Sequence, residues 1–65
     1  MKYDTSEWGT IVYATPNAVK QGLAKEGQRG VLLGRHPKYP HTIKVVKEGT
    51  TTAEIYWDGF WMKNQ

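Results

Sequence analysis

Sixty-five residues without a cysteine confine this chain to one domain with one small core, and exclude disulfides and thiolate metal sites as its support. The bulk available for that core is aromatic, with three Trp, four Tyr and one Phe. Net charge is only +3, yet seven basic residues stand between Lys20 and Lys47 against the single acid Glu26, a distribution that polyanion binders show and that many soluble domains show by accident.

Residues 1–9 are polar, with Trp8 as the one strong anchor, and are expected to form a loosely ordered arm before a single domain over residues 10–65. "TIVYA", Thr10 to Ala14, is β-branched and aromatic and predicts a short strand. "TPNAVKQG" then fits one helical turn between Pro16 and Gln21. Thr15 caps it, Pro16 takes the first helical position, and Gly22 supplies a left-handed exit. Such a turn is too short to stand alone and must pack through Ala18 and Val19.

"GVLLGR" is a compact apolar strand bracketed by Gly30 and Gly34, a sign of close backbone approach or bending. "HPKYP" interrupts it, because Pro37 and Pro40 each lack a donor and force extended geometry on the residue before. "HTIKVVK" is the clearest strand, with Ile43 and Val45 on one face and Thr42, Lys44 and Val46 on the other. "EGT" predicts a tight hairpin turn. The return strand "TTAEIYW" is then expected to turn Ala53, Ile55 and Trp57 inward and Thr52, Glu54 and Tyr56 outward. "DGF" starts a 3₁₀-like turn and "WMK" a last short strand.

Short strands at roughly ten-residue spacing, with turn signals between them, describe an all-β fold. Five of them, with a 3₁₀-like turn before the last, predict a small SH3-like barrel, closed so as to limit exposed edges. "KEGQRGVLLG" resembles the opening of a KOW-type SH3-like barrel. "YATPNAVKQG", "GQRGVLLGRHPKYPHTIKVV", a Thr-rich turn and "EIYWDGFW" are together similar to small proteins encoded by bacteriophages and prophages. That family shows an "RGVVVG" strand, a "VRVxWDG" strand and a "TYHxxF" ending. The chain departs from it with "KEG" at Lys47 to Gly49, and with Trp57 in the place of the family histidine. The resemblance implies a fold and, in a phage, the host cytoplasm; it implies no activity.

Chemistry has few residues to work with. His36 and His41 have no Cys, and no Ser but Ser6 in the arm, as a nucleophile, and as a pair they need a third metal ligand that the fold would have to bring from Asp58 or Glu54, so no catalytic residue, metal or cofactor is expected. "AEIYWDGFW" distantly resembles the "VQIYP" segment of the type II dihydrofolate reductases. Glu54 in the Gln position would ring a shared pore with carboxylates and repel a phosphorylated cofactor.

Binding is the better fit, because nucleic acid asks for cations along the backbone path and π-faces for bases. Arg35, His36, Lys38 and Tyr39 in the loop, Lys44 and Lys47 on the next strand, and Tyr56 beside it supply both, for DNA or RNA. The alternative is a protein-interaction module that engages a host protein through Trp57, Phe60 and Trp61. A peptide groove with Glu48, Glu54 and Asp58 as its acidic rim ranks below both. No apolar run approaches the ~20 residues of a membrane span. With "MKYDTSEW" lacking a signal peptide's apolar centre, the expectation is a soluble cytoplasmic protein.

Overall fold

In the computed structural model, which describes residues 2–63, each apolar segment finds its partner by antiparallel pairing. Met1 of the expected arm and Asn64 and Gln65 of the expected domain lie outside the described residues. Strand β1 (Thr10–Ala14) leads into helix α1 (Pro16–Lys20), followed by β2 (Arg29–Arg35), β3 (Thr42–Lys47) and β4 (Ala53–Trp57). A 3₁₀ turn at Asp58–Phe60 passes directly into β5 (Trp61–Met62). The sheet order β4-β3-β2-β1-β5 makes an all-β fold, a five-stranded sheet curled into a half-barrel. β4 and β5 remain its two edges, so the curl does not close by strand pairing.

The inner face holds Val12, Ala14, Leu32, Ile43, Val45, Tyr56 and Trp61, with Ala18 of the helix fully buried against them. Trp61 lies so close over Gly30 that a Cβ there would stand 3.3 Å from its ring and 2.8 Å from Val45 Cγ1. This is the close approach that a glycine in "RGVLLG" signals. The open side of the curl is filled by the helix. Thr15 Oγ1 accepts from the Ala18 amide at 3.4 Å and donates to the Gly59 carbonyl at 3.0 Å, while the Thr15 amide donates to the Phe60 carbonyl. One capping residue thereby fixes the short helix to the 3₁₀ turn, and Gly22 at φ 77° ends it.

Two expectations are corrected. The first concerns β4. A three-residue turn over Glu48–Thr50 would set Val45 opposite Ala53, but the structure sets Val45 opposite Glu54 and Ile43 opposite Tyr56. One extra loop residue slips the register by one, and a slip of one turns every side chain to the other face. Tyr56 is therefore core, packed edge-on against Trp61 with ring centroids 5.4 Å apart, and Ile55 and Trp57 face outward. The loop is stabilised by Thr50, whose amide and hydroxyl both donate to the Lys47 carbonyl.

The second concerns the arm. Trp8 anchors nothing and is largely exposed. The arm is held instead by its backbone: Asp4 and Arg35 exchange hydrogen bonds of 2.8 and 2.9 Å, and the Gly9 amide donates to Leu32. The crossing occurs where the β2–β3 register shifts between Leu32 and Gly34. At Gly34 a Cβ would stand 3.0 Å from Tyr3 Cβ and 3.1 Å from the Asp4 carbonyl.

Candidate nucleic-acid interface

The cations of the basic middle separate into two groups once their neighbours are known. Arg35 donates through Nε to Glu7 Oε1 at 3.1 Å, and through Nη1 to Asp58 Oδ2 at 3.0 Å and to the Pro40 carbonyl. Its side chain is 27% exposed. Burial alone would lower the Arg35 pKa, but the Glu7 and Asp58 carboxylates outweigh it and raise the pKa. Glu7 is pushed the other way: the Lys63 ammonium, then the Arg35 guanidinium, hold its carboxyl below the usual range. Lys47 is similarly engaged, donating to the Leu23 carbonyl at 3.1 Å and lying 3.8 Å from Glu54, with its side chain 23% exposed. Arg35 and Lys47, expected to hold phosphate, are thus fastenings between segments of the fold.

Lys38 and Lys44 have no carboxylate partner among the described residues and stand over aromatic rings instead. Lys44 projects from the outer face of β3 with Nζ 4.8 Å from the Tyr3 ring centre. Tyr3 meets His36 edge-on at 5.5 Å, and His36 meets Tyr39 at 4.9 Å with planes tilted by 40°. Lys38 Nζ lies 5.7 Å from the Tyr39 ring. The loop holds this arrangement through His36, whose Nδ1 accepts from the Lys38 and Tyr39 amides at 3.1 Å each. Pro37 and Pro40 flank that turn, and the Thr42 amide closes it onto the Tyr39 carbonyl. Tyr39 at the crest is 57% exposed. Beside the rings, Lys2, Tyr3, Trp8 and Lys44 line an open groove of about 410 Å³ floored by Gly34.

The structure therefore brings together His36, Lys38, Tyr39 and Lys44, and sets Arg35, Lys47 and Tyr56 apart. Tyr56 presents no ring face to a ligand. Its hydroxyl donates to Glu54 at 3.1 Å, and burial, then that carboxylate, pushes its pKa up to about 12. Tyr3, Trp8 and Lys2 are the additions sequence reasoning missed. The signal was present in Gly34, a glycine at a strand irregularity over which another backbone passes.

The alternative aromatic cluster also divides. Trp61 is buried and Phe60 is packed against the core, so neither is an exposed contact. Trp57 is 52% exposed and meets Phe60 edge-on at 5.3 Å. His41 Nδ1 lies 3.4 Å from Asp58 Oδ2, on a carboxylate that Arg35 already occupies. No group of three or more metal-ligating side chains occurs among the described residues, and no helix there is long and apolar enough to cross a membrane. No protein family, no curated protein and no solved structure matches the chain.

Proposed function

We propose that this chain is a non-enzymatic SH3-like accessory module of the phage type, acting in the host cytoplasm by binding single-stranded nucleic acid. The observation that carries the reading is the continuous series Lys44, Tyr3, His36, Tyr39 and Lys38, a run of π-systems with an unpaired cation at each end. Stacking of bases on aromatic faces and neutralisation of phosphates by flanking ammonium groups are the two contributions that sequence-tolerant single-strand binding requires.

An NMR titration with a short mixed-sequence oligonucleotide at low salt tests this. The amides of Tyr3, residues 36–39 and Lys44 are expected to shift together, and to shift less as salt is raised. Unmoved amides at those positions would overturn the proposal. A second reading, contact with a host protein, rests on exposed Trp57 alone, since Trp61 is buried and Phe60 packs on the core. Its amides would broaden with a protein partner in a manner nearly indifferent to salt.

A further inference from the structure

The two edges of the sheet are not equivalent. β5 offers two residues and is too short to template a further strand. β4 offers five, Ala53–Trp57, paired to β3 without any register shift. Outside the strand ladders, no backbone hydrogen bond among the described residues engages Ala53–Trp57. Exposed edges are ordinarily blunted by Lys, Pro, a bulge or short length. β4 has no Lys, Pro or bulge; its one charge, the exposed Glu54, lies 3.8 Å from Lys47, and Ile55 and Trp57 stand half-exposed on its outer side. An open groove of about 530 Å³ runs past Glu54, Ile55, Tyr56 and Trp57 along this edge.

We infer that β4 pairs antiparallel with β4 of a second copy of the chain, about a two-fold axis centred on Ile55. The strand's own sequence selects that occupant. A symmetric antiparallel pair must place one residue opposite itself. Centring on Glu54 would oppose two carboxylates directly, and centring on Tyr56 would oppose Glu54 to Asp58. Centring on Ile55 avoids both conflicts. It sets Ile55 against Ile55 and small Ala53 against large Trp57 on the outer face, and Glu54 against the Tyr56 of the other copy on the inner face. Glu54 lies 3.8 Å from Lys47 in its own chain, so the edge brings little uncompensated charge to the seam.

The outer faces also match in this register. Ile11, Val31, Val46 and Ala53 stand in one row across β1 to β4, and the row continues into Trp57 of the second copy. Lys44 and Ile55 form the neighbouring row, which continues through the second Ile55 to the second Lys44. Lys44, with the Tyr3 ring centre 4.8 Å from its Nζ, then stands one strand in from the seam on each copy.

Sedimentation velocity on the full chain, from about 10 µM to about 1 mM, is expected to show mass rising from 7.4 kDa toward twice that value. Ile55→Lys should hold the chain at the monomer mass across that range. Ile11→Lys, on the same outer face but on β1, should leave the dimer intact. A wild-type chain that remains monomeric at the highest concentration overturns the inference, as does a dimer that Ile55→Lys does not disturb. If Ile55→Lys fails to fold, a second measurement decides. A spin label on Thr52→Cys, in a chain with no other cysteine, is mixed with isotope-labelled unmodified chain. Broadening centred on Trp57 and Asp58 of the labelled copy supports the register. Broadening centred on residue 52 or on β1 refutes it.

Discussion

Replacing Lys44 by Gln and Arg35 by Gln separates the strip from the fastenings, although both positions are basic and lie only nine residues apart in the chain. On the geometry, Lys2, Lys38 and Lys44 are the ammonium groups available to phosphate, whereas Arg35 is spent on Glu7, Asp58 and Pro40. Each phosphate neutralised on a single strand contributes a slope of about −0.7 to the logarithmic salt dependence, so three contacts give about −2.1. Affinity should then fall roughly 18-fold between about 50 and 200 mM salt. With Lys44→Gln the slope should drop to about −1.4 and the fall to roughly sevenfold. Arg35→Gln should leave the slope at about −2.1 while destabilising the fold by about 1–3 kcal/mol, because two part-buried carboxylates lose their shared partner. Fluorescence anisotropy of a labelled mixed-sequence oligonucleotide over a salt series measures the slope, below each variant's own melting transition. Urea unfolding followed by Trp fluorescence measures the stability. An Arg35→Gln slope reduced as much as that of Lys44→Gln, or a Lys44→Gln slope equal to wild type, would refute the partition.

Three further outcomes follow from the same structure. The Tyr56 hydroxyl ionises at about 12 in the fold against an ordinary value of 10, so its contribution is complete below pH 10 and is lost as pH rises toward 12. Ionisation therefore costs the fold about 3 kcal/mol, and Tyr56→Phe should flatten the alkaline limb of stability measured by urea unfolding. At the acid end, the lowered Glu7 carboxyl stabilises the fold above its unfolded pKa and ceases to do so as pH falls through the folded value. Glu7→Gln should therefore be less stable at neutral pH and less sensitive to acid, which a pH series of thermal melts will show. Gly34→Val places a side chain where Tyr3 Cβ and the Asp4 carbonyl now lie, and should lift the arm off the sheet. Oligonucleotide binding should weaken several-fold while the β4 and β5 amides keep their chemical shifts.

Periodicity carried most of the fold. Thr10–Ala14, the capped turn at Pro16 and the 3₁₀ turn at Asp58 are local choices, and Thr15, Pro16 and Gly22 specify one of them almost alone. β4 was not legible to the same degree, because its facing depended on one residue of loop length. Both of its faces are apolar enough to be core, with Ile55 and Trp57 on one and Tyr56 on the other. The proximity of His36, Lys38 and Tyr39 in the candidate site was legible, because they are neighbours in one loop. That of Tyr3, Trp8 and Lys2 was not legible, nor was the loss of Arg35 and Lys47 to internal pairs. Those depend on Glu7, Asp58 and Leu23 reaching them from distant segments, and composition does not report long-range pairing.

The backbone bridge between Asp4 and Arg35 has a consequence for finding a partner. It is the device that sets Tyr3 beside His36 and Lys44, residues more than thirty positions away in the chain. An unfolded chain keeps the loop but disperses the strip, so a ligand of the strip binds the native state almost exclusively. By mass action, free ligand at about 100 times its dissociation constant adds about 2.7 kcal/mol to the native state, a large share of the roughly 5–15 kcal/mol that a small domain possesses. Melting temperature thereby becomes a gauge of occupancy, and a collection of oligonucleotides can be ranked by how far each displaces the transition.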